Sequence, residues 1–193
     1  MPGTGQPDKR RPPAVAVTGG IAAGKSEALA AFARHGAATL SADAIVHDLL
    51  ASDPEVREAI RDRWGADAVG DRGRIGEIVF ADPVELDWLE RLLHPKTRAV
   101  TDAWLAAVDA PLAVVEVPLL YETGGESRFD AVVVISASDE IRSGRRPGLA
   151  AREARLIPDD EKARRADFVY VNDGSLDDLD GFVSEVMETV YGR

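Results

Sequence analysis

Residues 14–26 read Ala-Val-Ala-Val-Thr-Gly-Gly-Ile-Ala-Ala-Gly-Lys-Ser, and this stretch decides the fold. Ala14 to Thr18 is a short, apolar, β-branched run that reads as a buried strand. The next eight residues, Gly19-Gly20-Ile21-Ala22-Ala23-Gly24-Lys25-Ser26, match the phosphate-loop pattern G-x-x-x-x-G-K-[ST]. A helix then runs from about Lys25 to His35, with Ala28, Leu29, Ala31 and Phe32 as its packing face and Gly36 at its C-terminal cap. Each part of the loop has a physical reason. Glycines let the backbone turn tightly, so that successive N–H groups point inward as an anion nest. The helix directs its positive end at the same place. Lys25 supplies a cation for the β- and γ-phosphates, and the Ser26 hydroxyl is a ligand for Mg²⁺. A glycine turn without a ligand is the alternative, and the strand before and helix after argue against it.

Working outward, Ala38 to Leu40 reads as a second strand, and Ser41 or Asp43 caps a helix over about Ala44 to Leu50. Pro54 opens a helix to Trp64, and residues 65–75 read as a loop. Helical patterns follow at Ile75 to Phe80, Pro83 to Leu93 and Lys96 to Val108. Leu112 to Val117 and Ala131 to Ile135 read as buried parallel strands, and Phe168 to Val171 as the last strand. Ser138 to Lys162 reads as an exposed, arginine-rich helical stretch, and Asp177 to Tyr191 as an amphipathic terminal helix. Strands alternating with helices predict a doubly wound parallel sheet. The expected fold class is α/β: a three-layer P-loop fold with a parallel sheet and a helical insertion covering one side of the site; the family resemblance carried by the later signatures implies a substrate-binding insertion, a short lid and a kinase. Residues 1–13 are expected as a disordered lead-in and 14–193 as a single P-loop domain, a kinase domain by that resemblance. Its core is assigned to 14–43, 109–138 and 166–193, its insertion to about 44–108 and its lid to about 139–165.

Composition narrows the chemistry. The 193 residues include no cysteine, which excludes disulfides, a cysteine nucleophile and thiolate metal sites. The formal net charge of −11 repels nucleic acid unless a local basic patch overrides it. No apolar run is long enough for a membrane helix, and Met1 to Pro13 is polar, without the apolar segment of a signal peptide. A cytoplasmic protein is expected, a monomer or weak homo-oligomer, with no nucleic-acid and no membrane partner.

A guanine-specific switch protein should carry N-K-x-D, which the chain lacks; around Asn172 it reads Val-Asn-Asp-Gly. A small-molecule kinase needs a base beside the acceptor hydroxyl and an arginine over the transferring phosphate. Asp43 and the arginine-rich segment 142–165 are the candidates. Further signatures stand in order: Ala42-Asp43-Ala44-Ile45, Ile78-Val79-Phe80, Leu92-Leu93-His94-Pro95, Val117-Pro118-Leu119-Leu120-Tyr121-Glu122, Phe129-Asp130-Ala131-Val132, Glu161-Lys162, Ala166-Asp167 and Asn172-Asp173-Gly174. With the phosphate loop, these resemble the dephospho-CoA kinase family from about Val15 to Leu179. The resemblance implies ATP and Mg²⁺ as cofactors and transfer of the γ-phosphate to the ribose 3′-hydroxyl of 3′-dephospho-coenzyme A. Another small-molecule kinase, or a weakly active nucleotide-binding homologue, is the competing reading.

By similarity, Asp43 is the general base, although N-capping would also explain it. Lys25 is catalytic, with Arg142 and Arg146 as first choices among the lid arginines. Gly20, Ile21, Ala22, Ala23, Gly24, Lys25, Ser26 and Glu27 are the nucleotide-binding residues, with Asn172 and Gly174 near the adenine. Ser26 and Glu116 are the metal-site candidates; a structural ion pair is the alternative for Glu116. Substrate contacts fall to Asp43, Arg72, Arg74, His94, Leu119 and Glu122. Glu122 is expected to orient a substrate-binding arginine, and His94 is equally suited to a structural hydrogen bond. The chain also departs from the family. Ala22 and Ala23 stand where it tends to carry Gly and Ser, Glu27 replaces a common Thr, Ser41 an Asp and His47 an Arg.

Overall fold

The computed structural model describes residues 11–145 and 156–192. The chain divides into two compact units, Met1–Leu40 with Leu105–Arg193, and Ser41–Trp104.

In the first unit, β1 (Ala14–Gly19), β3 (Ala113–Glu116), β4 (Ala131–Ser136) and β5 (Phe168–Val171) pair in parallel. With β2 (Ala38–Ser41) they form a five-stranded sheet in the order β2-β3-β1-β4-β5. The chain therefore leaves β1 toward one edge, returns to β3, and crosses to β4 on the other side. Such a reversal puts the loop after β1 at the switch point, where doubly wound sheets bind ligands. Every β1 residue is buried, as a central strand requires.

The period-two alternation of the strands sorts two cores. Val15, Val17, Val133 and Ile135 pack with Phe32 of α1 (Lys25–Arg34) and with Leu179 and Val183 of the last helix, α8 (Leu176–Tyr191). Ala16, Val132 and Val134 face the opposite way, onto Leu120, Tyr121 and Ile157. The expected P-loop fold, a parallel sheet between two layers, is present. α1 ends in a Schellman cap: Gly36 at φ 89°, Gly36 N donating to Ala33 O at 3.0 Å and Ala37 N to Phe32 O at 3.1 Å. α8 begins with a capping box, Ser175 and Asp178 bonding reciprocally. The Ser175 hydroxyl and N–H hold the Asp178 carboxyl below its usual range.

The second unit is helical: α2 (Ala42–Ser52), α3 (Pro54–Trp64), α4 (Arg72–Ala81) and most of α5 (Pro83–Ala107). Asp53 caps α3 by accepting from Val56 N at 2.9 Å, and its other oxygen pairs with Lys96 at 3.1 Å. Trp64 and Trp88 meet edge to face, and Glu85 accepts from both Arg63 and Trp64.

Two sequence expectations are corrected here. Residues 65–75 are not a loop throughout: a 3₁₀ turn covers Ala66–Ala68, and α4 starts at Arg72 because Asp71 caps it by accepting from Arg74 N. The helices expected on either side of Pro95 are one helix, α5. Leu89, Leu93, Thr97, Thr101 and Leu105 form an i+4 stripe through the proline, with Leu89, Leu93, Thr101 and Leu105 buried. That packing outweighs the single hydrogen bond a proline removes.

The arginine-rich stretch contributes α6 (Asp139–Arg145) and α7 (Asp159–Arg165). It is not uniformly exposed, since Lys162 is fully buried. Arg146 and the expected centre of the lid lie outside the described residues.

Candidate active site

β1 ends by handing the chain to the loop, and the loop geometry admits few side chains. Gly19 has φ 138°, and a Cβ there would lie 1.8 Å from Ile135 O. Gly24 has φ 100°, and a Cβ would lie 2.0 Å from the Asn172 amide nitrogen. Both glycines are therefore required by contact as well as by conformation. Ala22, where the family tends to carry glycine, holds φ 60°, in the left-handed region where Cβ crowds the backbone. Ala23 has no positive φ and is buried.

Lys25 folds back over the loop, donating from Nζ to Gly20 O at 2.8 Å and to Gly19 O at 3.2 Å. Ala22, Gly24, Lys25, Ser26 and Glu27, with Glu116 at the carboxyl end of β3, line one cavity of about 390 Å³. Strand register places Glu116 beside Val17 of β1, and its residue is only 7% exposed. The cavity thus joins an ammonium, a hydroxyl and a carboxylate to the nest of loop N–H groups. Glu27 is exposed, with its carboxylate beside Gly24.

Asn172 is buried where β5 ends. Its side-chain amide donates to Ala23 O at 2.9 Å, and its backbone N–H donates to Ser136 O at 2.7 Å. The side chain that the sequence associated with the adenine is thus committed to the loop itself. Gly174 stands two residues on, where a Cβ would meet the Asp178 carboxylate at 2.8 Å, so it is shaped by the α8 cap.

Arg142 comes to the loop from α6. A Cβ on Gly20 would lie 2.7 Å from Arg142 Nη1 and 2.4 Å from Asp159 Oδ2. No sequence motif marks Asp159 or Asp139; Asp139 accepts from Arg142 Nη2 at 2.5 Å. Ile21 belongs to the same loop and is half-buried.

Leu119 and Glu122 sit in the turn after β3. Glu122 Oε1 accepts from Ile157 N at 3.0 Å and pairs with Lys162 Nζ at 2.9 Å. The expected arginine partner is replaced by this fully buried lysine of α7, so Glu122 ties the turn to α7. Leu119 O accepts from the Thr123 hydroxyl within that turn. Next to it, Tyr121 is buried beneath the Arg165 guanidinium, 4.2 Å from the ring centre, and burial raises its phenol above the usual value.

The remaining candidates lie in the helical unit. Asp43 is exposed in the first turn of α2, two residues beyond β2; Ser41 is the N-cap, so capping by Asp43 is not the arrangement found. Arg72 bonds to His47 Nδ1 at 2.8 Å, which joins α4 to α2. Arg74 pairs with Glu77 at 3.1 Å on an exposed helix face. His94 is exposed inside α5, not at a helix boundary.

The missed partnerships are long-range. Asn172 and Ala23 are 149 positions apart, and Glu122 and Ile157 are 35 apart. The Glu161-Lys162 dipeptide was the available signal for Lys162, but no local pattern names its partner.

A family model described as "Dephospho-CoA kinase" matches residues 13–178. The Dephospho-CoA kinase of Frankia casuarinae is 36% identical over 192 residues, covering 93% of this chain and 84% of the relative. A crystal structure of a Thermus thermophilus protein superposes with TM-score 0.77 at 31% identity, covering 93% of this chain and 98% of that one. The structure of Dephospho-CoA kinase from Campylobacter jejuni gives TM-score 0.64 at 26% identity, with 94% and 98% covered.

Proposed function

The chain belongs to the dephospho-CoA kinase family, and from that premise we propose that it transfers the γ-phosphate of ATP to the ribose 3′-hydroxyl of 3′-dephospho-coenzyme A, giving ADP and coenzyme A in the last step of coenzyme A biosynthesis. It is a transferase that uses ATP with Mg²⁺. The observation that carries the reading is the cavity at the switch point, where Lys25, Ser26 and Glu116 meet at the phosphate loop.

The donors there fit Mg²⁺. This ion is held by one or two protein oxygens together with phosphates and waters, and Ser26 and Glu116 supply oxygen donors in that number. Among the described residues, no group of three or more His, Cys, Asp or Glu could hold a metal alone. Mg²⁺ would contribute charge neutralisation at the phosphate oxygens.

The chain's own residues do the rest. Loop N–H groups and the start of α1 bind the phosphates, and Lys25 exchanges the carbonyls of Gly19 and Gly20 for phosphate oxygens. Asn172 fixes Ala23 O and so holds the loop in its binding form. Arg142 meets the charge that builds on the transferring phosphoryl group. Asp43 accepts the proton of the 3′-hydroxyl as that oxygen attacks phosphorus. Of the two arginines, Arg72 is the stronger candidate for an anionic substrate, because its partner is His47 whereas Arg74 already pairs with the Glu77 carboxylate. The loop between β3 and β4, with Leu119 and Glu122, frames the acceptor side. A cytoplasmic monomer or weak homo-oligomer with no nucleic-acid partner completes the reading. Among the described residues no helix is long and apolar enough to cross a membrane.

The test is a panel of acceptors with ATP and Mg²⁺: dephospho-CoA, nucleosides, nucleoside monophosphates and sugars. Selective turnover of dephospho-CoA supports the reading, and preference for another alcohol refutes it.

A further inference from the structure

A carboxylate sits against a loop built to bind anions. Asp159 Oδ2 lies where a Cβ on Gly20 would be 2.4 Å away, and Arg142 Nη1 lies 2.7 Å from the same point. The two side chains thus share the face of one loop residue, with Nη1 and Oδ2 3.7 Å apart. Neither is a loose surface group: the Arg142 side chain is 12% exposed and that of Asp159 is 25% exposed. The other carboxylate partner of Arg142, Asp139, is 92% exposed and far more screened.

Arg142 and the loop donors suit phosphate as well as carboxylate. A carboxylate and a phosphate that use the same donors compete, and their like charges repel at short range. We propose that Asp159 sets the affinity for nucleotide by competing with its phosphates for Arg142 and for the loop face at Gly20. The inference rests on the reading that the loop holds the phosphates of ATP. Glycine at position 20 is what lets Asp159 come so close. Nucleotide binding then requires Arg142 to exchange Asp159 for a phosphate, and the Asp159 charge weakens every additional phosphate charge brought to the loop.

The experiment measures binding of ATP, ADP and AMP, each with Mg²⁺, to the wild-type chain and to Asp159→Asn, Asp159→Ser and Asp159→Glu. Calorimetry gives the affinities and thermal unfolding gives Tm. Removing a partly exposed charge beside a polyanion should tighten ATP by about 3- to 10-fold in both neutral variants. The gain should shrink from ATP to ADP to AMP and fall at high salt. Asp159→Glu, which keeps the charge, should keep the wild-type order. Asp159 also stands in the first turn of α7, so a merely structural role would move Tm and change all three ligands alike. Unchanged or weaker ATP binding in the neutral variants, or an equal gain for all three nucleotides, overturns the inference. A wild-type chain that binds none of them refutes the nucleotide reading itself, and the inference falls with it.

Discussion

Asn172→Ala tests whether one buried side chain holds the phosphate loop in its working form. The amide donates to Ala23 O at 2.9 Å, and Ala23 is fully buried. A buried carbonyl that loses its donor costs about 1–3 kcal/mol. That cost is avoided when the loop relaxes toward the cavity, so that the binding-competent form becomes the minor one. A shift of about 1–3 kcal/mol in that balance weakens ATP binding about 5- to 150-fold. The loss belongs to the loop rather than to the core, so it should appear in Kd and KM for ATP more than in Tm. Asn172→Asp keeps the shape, loses the donor and adds a negative charge, and should bind ATP more weakly still. Calorimetric titration with ATP and Mg²⁺, beside urea unfolding of each variant, separates the two effects. Affinity within about twofold of wild type, with unchanged stability, would refute the anchoring role, because an unsatisfied buried carbonyl must register in one or the other.

Ala22→Gly should raise Tm by about 2–4 °C, since it removes about 1 kcal/mol of left-handed strain at φ 60°; a lower Tm would contradict that reading of the loop. Lys162→Met leaves the Glu122 carboxylate beside an apolar chain and should cost about 3–5 kcal/mol in urea unfolding. Adding Glu122→Leu should recover most of that loss, and no recovery would argue that the pair is not the cause. Acid should unfold the chain through carboxylates that are held low in the folded state. Val56 N–H and Lys96 act on Asp53, Arg63 and Trp64 on Glu85, and Arg34 and His35 on Asp180. A carboxyl whose folded pKa is depressed stabilises above its unfolded value, about 4, and loses that contribution as pH falls below it. The unfolding midpoint should therefore drop below about pH 4, and Glu85→Asn and Asp180→Asn should flatten that limb; an acid limb unchanged in both variants would refute the assignment.

The core of the fold was legible because it is written locally. The spacing of Gly19, Gly24, Lys25 and Ser26 specifies a loop, and the apolar runs at 14, 113 and 131 specify the buried strands around it. Gly36 and Pro54 marked helix ends correctly, since each acts on its own backbone. α5 was misread at Pro95, where the local rule of proline as a breaker lost to packing on both sides of it. The α4 start was missed because its signal, an Asp71 cap, is one polar residue in a loop-like stretch. Of the site, the phosphate loop and Glu116 came from local pattern. The commitment of Asn172 to Ala23, of Glu122 to Lys162, and of Asp159 to the Gly20 face depends on chain segments folded together from afar. No periodicity carries that information.

In the proposed reaction the γ-phosphate passes to the 3′-hydroxyl, with Asp43 as the base. The most direct measurement follows the γ-phosphate of ATP into dephospho-CoA under single-turnover conditions, for the wild-type chain and for Asp43→Asn, with the product's phosphate located by ³¹P NMR. A 3′-phosphate should form in step with ADP, at a rate about 10²- to 10⁴-fold lower in Asp43→Asn with ATP affinity retained. ADP released without phosphorylated acceptor, phosphate on another oxygen, or an undiminished rate in Asp43→Asn would contradict it.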